Sequence, residues 1–375
     1  MSSEEAEIRE KYLQLIESEK IIDSRFTKIR RIDANGGKGF FSFVFVAKDL
    51  KSNKNVALKF FDPLKISFVD RLERFKREAE MLVTLEDEPL VINCIDGGIR
   101  TLNKTVEDKE SGITIPIQFQ FFAMEKADLS VEAFIDRKNL DAITILTIFK
   151  EMIKAVIRIH GKNVCHRDLK PSNFLILNKK TLLSDFGTAK LMNGSMPHIS
   201  ESYEFPLGDR RYIAPEVLFS IGIADEYVFK SDLFSMGAIL FEMFTGATLT
   251  KQIYNEVIFE KLHYAHQVLS KMKEDKKLEA YKYISKDLSA LIKLPEIYSY
   301  NDKVPNSIKY HLDELYKQLA DISIINRIDK PTSIHRKIDI CLKILKNEKK
   351  YQKWLEEKRR RKLIRESKKN RKTVQ

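Results

Sequence analysis

The sequence predicts an α+β fold, with strands concentrated early and helices late. Three observations predict it. Val56-Ala57-Leu58-Lys59 lies in an alternating apolar run, as a strand does. Leu72, Phe75, Ala79 and Leu82 recur at helical spacing within 68–85, which gives a helix with one apolar face. Further along, helical patterns dominate: 142–149 reads as a buried helix, the run through Leu233 and Phe241 stops near Gly246 as at a C-cap, and 256–285 is helical and rich in lysine.

In chain order, the first 24 residues hold seven acidic side chains against three basic ones. Ser2-Ser3-Glu4-Glu5 resembles a capping box, and Ile8, Tyr12, Leu15 and Ile16 share one helical face. Residues 1–25 are therefore expected to form a helical extension that packs on the domain behind it or on a partner. Gly37-Lys38-Gly39-Phe40-Phe41-Ser42-Phe43-Val44 follows. Small residues let a backbone come close to an anion, and its N–H groups can then bind the charge. Residues 101–112 are polar and are expected to be a surface loop; 293–307, with two prolines, are expected to be loop as well. The chain shows no internal repeats.

The densest chemistry lies in His166-Arg167-Asp168-Leu169-Lys170-Pro171-Ser172-Asn173, with Asp185-Phe186-Gly187 soon after. Phosphoryl transfer needs a carboxylate to receive a hydroxyl proton, ligands for the metal that binds the phosphates, and positive charge on the moving group. Asp168 meets the first need, Asn173 and Asp185 the second, and Lys170 the third. With V-A-L-K upstream and Ala214-Pro215-Glu216 and Asp232 downstream, in that order, the chain resembles the eukaryotic-type (Hanks-type) serine/threonine protein kinase family. Small-molecule phosphotransferases of related fold do not usually carry A-P-E or the L-K-P that follows H-R-D.

The resemblance implies the rest of the site. The fold would be the bilobal kinase fold, with a β-rich N-lobe over 26–126, a mainly helical C-lobe over 127–345 and a tail over 346–375. ATP and Mg2+ would bind between the lobes. Gly37, Gly39, Ser42 and Val44 would form the glycine-rich loop, with Ser42 in place of its third glycine. Ala57 would lie by the adenine, and Lys59, positioned by Glu78, would align the phosphates. Met124 would be the gatekeeper, and the backbone of Glu125 and Ala127 would bind the adenine edge. Asp168, Lys170 and Asn173 would be catalytic, with Asn173 and Asp185 as metal ligands. Lys170, in L-K-x-x-N, points to serine/threonine acceptors on a protein substrate. His166 and Phe186 would stack in the apolar spine, and Asp232 would tie the catalytic loop to the large lobe.

Two positions depart from the family pattern. Asp209 replaces the usual threonine in Gly208-Asp209-Arg210-Arg211-Tyr212, which would bring a second carboxylate towards Asp168 and raise its pKa. Glu216 normally pairs with an arginine near the end of the domain; Lys330 occupies that place, and Arg327 is the other candidate. Arg167 belongs to a type of pocket that a phosphorylated activation segment fills, which makes Ser195, Ser200, Ser202 and Tyr203 candidate phosphosites, alongside an ordinary polar-loop reading.

At 375 residues and 43% hydrophobic content, the chain has ample material for a two-lobed domain with extensions. Cys94, Cys165 and Cys341 are widely spaced and form no metal or disulfide pattern. No signal-like or membrane-length apolar run is found, so a cytoplasmic protein without a membrane span is expected. Residues 346–375 hold 14 Lys and Arg against 4 Asp and Glu, so this stretch supplies +10 of the formal charge of +12. Such a run could bind nucleic acid, an anionic surface or an acidic partner; a solvated helix end is the plainer reading. A catalytically weak scaffold, or a nucleic-acid-associated protein acting through this tail, is the alternative to an active kinase.

Overall fold

The structure is a computed structural model and describes residues 3–32, 41–107, 114–136, 140–192, 208–218, 227–301 and 304–373. It divides into two compact units, Met1–Arg137 with Glu151–Asp209, and Lys138–Lys150 with Arg210–Gln375.

The first unit is built on an antiparallel sheet of β1 (Ile21–Ile22), β2 (Phe26–Arg31), β3 (Ser42–Asp49), β4 (Asn55–Phe61), β5 (Arg100–Glu107) and β6 (Thr114–Glu125), in the order β1-β2-β3-β4-β6-β5. Side chains alternate between the faces of a sheet. On one face, Phe43, Phe45, Leu58, Phe60, Phe119 and Phe121 form an aromatic core. Helix α1 (Ser3–Glu17) covers that core with Leu13 and Ile16, both buried, and Tyr12 meets Phe119 edge-on at 5.4 Å. Burying side chains of this size contributes about 1.5–3 kcal/mol each, enough to fix the amphipathic helix on the sheet.

Of residues 101–112, expected to be loop, 101–107 are strand instead, and 108–112 lie outside the described residues. β5 pairs with β6 along its whole length from Arg100↔Phe121 to Glu107↔Thr114. It is an edge strand, so its exposed Thr101, Asn103, Thr105 and Glu107 side chains are compatible with the ladder and guard the edge.

Helix α2 (Val69–Thr84) packs on the opposite face of the sheet, where Phe75 meets Phe61 and Phe122 at 5.6 and 5.2 Å. The short elements β7 (Leu129–Ser130), α3 (Val131–Asp136), β8 (Val164–Cys165), β9 (Phe174–Leu177), β10 (Lys180–Leu183) and β11 (Lys190–Leu191) form two small sheets, β10-β9-β7 and β11-β8. Between α3 and β8 runs α4 (Ala142–Gly161).

The second unit is helical: α5 (Pro215–Leu218), α6 (Val228–Thr245), α7 (Leu249–Ile253), α8 (Glu256–Ser270), α9 (Glu274–Leu291), α10 (Ile297–Tyr300), α11 (Lys309–Leu319) and α12 (Pro331–Thr373). α6 is apolar nearly all round and buried on most of its surface, as a central helix must be. It ends at Gly246, in the left-handed conformation, whose N–H bonds Glu242 O. The stretch 293–307 holds the one-turn α10 within its loop. α12 is one helix of 43 residues, about 64 Å at 1.5 Å per residue. Its first half is anchored by Ile334, Ile338, Cys341, Leu342 and Leu345, all buried, and the residues just beyond are exposed. Among the described residues, no helix is long and apolar enough to cross a membrane.

Candidate active site

Lys59 lies in β4 opposite Val44 of β3 and Phe122 of β6, and Ala57 lies opposite Met124. Partners across an antiparallel ladder share a face, so Val44, Ala57, Lys59 and Met124 line the side of the sheet that α2 covers. Lys59 Nζ donates to both oxygens of Glu78 at 2.7 and 2.6 Å and lies 3.6 Å from Asp185 Oδ1. Lys59 and Glu78 are both largely buried. Burial works against the Lys59 ammonium, but Asp185 and Glu78 outweigh it and hold the proton more tightly than usual. Burial pushes the Glu78 carboxyl up to about 7 against the attraction of Lys59, with Asp185 adding to the rise.

β6 ends at Glu125, whose N–H donates to Asn93 O at 3.0 Å and whose Oε2 accepts from Asn93 N–H at 3.3 Å. Met124 is buried just before it, and Ala127 O accepts from Lys126 Nζ at 3.1 Å. Ser42 opens β3 and is buried. Gly37 and Gly39 lie outside the described residues, as do Ser195, Ser200, Ser202 and Tyr203.

The segment from His166 to Asn173 is tied to Asp185 by short-range bonds. His166 Nε2 meets Ser184 O at 3.0 Å, its ring lies 5.0 Å from that of Phe186, and its own carbonyl accepts from Thr188 Oγ1 at 3.0 Å. Ser184 Oγ donates to Asn173 O at 2.9 Å. Arg167 and Asp185 both adopt left-handed backbone, with φ of 66° and 62°. Such conformations cost about 1–3 kcal/mol each and persist where the surroundings enforce them. Arg167 is held by Nε donating to Thr188 O at 2.7 Å.

Besides its own N–H donating to His166 Nδ1 at 3.3 Å, Asp168 is held by three donors. Lys170 Nζ donates to its Oδ2 at 2.8 Å, the Asp209 N–H donates to its Oδ1 at 2.8 Å, and Asn173 Nδ2 donates to its backbone carbonyl at 2.8 Å. Asp209 meets Asp168 through its backbone donor, a contact that the residue type does not announce. Its side-chain charge acts on Lys170, adding to the hold of Asp168 and Asp185 on that ammonium against burial. Gly208 makes this approach possible: its φ is +110°, and a Cβ there would sit 2.7 Å from Arg167 O. Burial raises the Asp168 pKa against the pull of Lys170, with Asp185 adding to the rise. Asp185 shifts the opposite way: burial opposes its charge, but Lys59 and Lys170 more than offset that and keep it ionised.

In the helical unit, Glu216 is paired by Arg327. Its guanidinium forks onto both carboxylate oxygens at 2.6 and 3.1 Å, with both side chains fully buried, and its Nη1 and Nε also donate to Lys230 O and Asp321 O. Lys330 does not take this place. The planar fork suits a buried carboxylate better than an ammonium does, and the choice between the two is decided by a backbone path that sequence spacing does not show.

The comparisons with known proteins accord with this geometry. A family model described as Protein kinase domain matches residues 31–301. The chain belongs to the protein kinase family. It is similar to the serine/threonine-protein kinase cds1 of Schizosaccharomyces pombe, 28% identical over 246 residues, covering 64% of this chain and 48% of that protein. It is 29% identical over 214 residues to the probable serine/threonine-protein kinase glkA of Dictyostelium discoideum, covering 57% of this chain and 39% of the relative. With CBL-interacting protein kinase 15 of Oryza sativa subsp. japonica it is 31% identical over 213 residues, or 56% and 44% of the two chains. The chain thus spans about half or less of the length of these relatives.

Proposed function

We propose that the chain is an ATP-dependent serine/threonine protein kinase that acts on protein substrates in the cytoplasm. The observation that carries this reading is Asp168, held by Lys170 and the Asp209 N–H, beside an ionised Asp185 and the Lys59–Glu78 pair.

Asp168 orients the acceptor hydroxyl and takes its proton as oxygen attacks the γ-phosphorus; the bond from that phosphorus to the β–γ bridging oxygen breaks, and ADP leaves. Its raised pKa favours this base role at neutral pH. Lys170 places positive charge by the moving phosphoryl group, and Lys59, fixed by Glu78, holds the phosphates. The residues fit Mg2+, which takes oxygen ligands from one or two carboxylates and substrate phosphates. Asp185 offers a carboxylate, and Asn173, whose amide nitrogen is spent on Asp168 O, offers its amide oxygen. Magnesium held there would neutralise phosphate charge when bound. In this reading Ser42 and Val44, with Gly37 and Gly39 of the same segment by family position, would serve the phosphates, and Ala57, Met124, Glu125 and Ala127 the adenine. We assign 26–126 to the N-lobe, 127–345 to the C-lobe and 346–375 to the tail.

The test is transfer of label from ATP with Mg2+ to a generic protein acceptor, by the wild-type chain and by Asp168→Ala. Label on serine or threonine that is lost in the variant, with nucleotide binding retained, is the expected result. Equal transfer by both proteins would overturn the mechanism.

A further inference from the structure

α1 reaches the chain on both sides of the Gly37–Gly39 stretch. Before it, Arg31 at the end of β2 donates to Glu10 at 2.7 and 3.0 Å and pairs with Glu17 at 3.0 Å. After it, Arg9 Nη2 lies 3.5 Å from Ser42 O, and its guanidinium sits 5.0 Å over the Phe43 ring. The same Arg9 faces the segment that leads into α2: its Nε is 3.5 Å from Asp62 Oδ2. Lys65, in the turn that Asp62 caps, pairs with Glu5 at 3.6 Å.

Asp62 differs from the other acids in this group. Its side chain is 1% exposed, whereas those of Glu5, Glu10 and Glu17 are 43%, 45% and 40% exposed. Exposed ion pairs are individually weak, but a buried carboxylate depends on its counter-charge. Asp62 also occupies a junction. Its N–H donates to Phe41 O at 3.0 Å and its Oδ1 accepts from Leu64 N–H at 3.1 Å, so it binds the start of β3 to the turn before α2. α2 carries Glu78, the partner of Lys59.

We propose that Arg9 is a positioning residue for nucleotide: through Asp62 it ties the base of the glycine-rich segment to the approach of α2, so that α1 sets the affinity for Mg·ATP. This rests on the kinase reading above. Arg9 acts at a remove: it faces Ser42, Phe43 and Asp62, and so fixes the base of the glycine-rich segment against the approach of the helix that carries Glu78. Removing it leaves Asp62 buried without its nearest guanidinium, and relaxation there moves Phe41, Ser42 and Leu64 together.

The experiment compares wild type, Arg9→Ala, Arg9→Lys, Asp62→Asn and the double variant Arg9→Ala/Asp62→Asn. Equilibrium binding of Mg·ADP, KM for ATP, kcat and a thermal melt are measured on the full chain. Arg9→Ala is expected to weaken Mg·ADP and raise the ATP KM about fivefold or more, the lower range of coupling between linked sites, with kcat within about twofold. Arg9→Lys should restore most of the affinity, because an ammonium still faces Asp62. Asp62→Asn should weaken Mg·ADP binding in the same direction, and the double variant should lose little more than Arg9→Ala alone, because both changes break one tie. If Arg9→Ala binds Mg·ADP as wild type does, or loses kcat with unchanged nucleotide affinity, the positioning role is wrong and the kinase reading stands. If wild type itself binds no Mg·ADP, the kinase reading fails and the inference falls with it.

Discussion

Glu78→Gln should separate the stability of the site from its function. The ordinary glutamate pKa is 4.5, and burial holds that of Glu78 at about 7 in the folded chain. The folded state therefore binds this proton more tightly than the unfolded one. The stabilisation linked to Glu78 is complete below pH 4.5 and is lost as pH rises through about 7. Each tenfold in proton affinity is worth about 1.4 kcal/mol, so the loss comes to about 3 kcal/mol at pH 8. Glutamine has the same shape and no charge. Wild type should thus lose about 3 kcal/mol relative to Glu78→Gln between pH 4.5 and 8, which urea denaturation at stepped pH measures as a difference of midpoints. Taking the difference removes the groups whose surroundings the substitution leaves unchanged. Nucleotide affinity should move the other way: Lys59 loses a charged anchor 2.6 Å away, and Glu78→Gln should bind Mg·ADP more weakly at pH 8. A stability difference that does not change with pH would refute the argument that burial dominates at Glu78.

Other changes test other parts of the structure. Arg327→Ala strands the fully buried Glu216 and should cost about 3–5 kcal/mol in urea denaturation; Arg327→Lys should recover only part of it, since it lacks the fork. Gly208→Ala puts a methyl 2.7 Å from Arg167 O, beside the Asp209 N–H that holds Asp168. Because a displacement near 1 Å at a reacting group can cost about a hundredfold, steady-state kinetics should show kcat falling on that order with little change in Mg·ADP binding. Ile16→Ala opens a cavity under α1 where the side chain is 0% exposed, and should lower stability by about 2–5 kcal/mol by the same denaturation assay.

What the sequence showed and what it hid follow from the range of the interactions. Asp168, Lys170 and Asn173 sit within six residues, so their contacts are set by a short loop, and the residue order already contains them. Lys59 and Glu78 are separated by one strand and one helix, each with a clear period. Arg9 and Asp62 are 53 positions apart, and their encounter depends on how α1 lies over the aromatic face. The helical face of α1 was readable; its orientation on the sheet was not, because Arg31 chooses Glu10 and Glu17 only after packing. β5 was hidden for another reason. An edge strand with both faces partly wet carries Thr, Asn and Lys, and its composition then matches that of a loop. The Asp209 backbone contact was hidden because residue type reports the side chain, and here the backbone N–H makes the bond.

The electrostatics of the site sort its carboxylates into different tasks. Glu78 and Asp168 are pushed up and Asp185 is pushed down: Lys59 acts on Glu78, Lys170 on Asp168, and both lysines on Asp185. The difference is in the balance at each position. Asp185 lies near both Lys59 and Lys170, which overcome its burial. Asp168 has Lys170 on one oxygen but also feels Asp185, so burial prevails. Pairs of acids whose pKa values are driven apart mark an assignment of roles. On the proposed kinase reading, the acid kept ionised is the one to hold a cation, and the acid pushed up is the one to take the hydroxyl proton. Asp209 strengthens this division without joining it. Its N–H supports the charged form of Asp168, and its carboxylate keeps Lys170 protonated. An aspartate in that position is therefore compatible with phosphoryl transfer, because it supplies the backbone donor a base needs and spends its own charge on the lysine beside it.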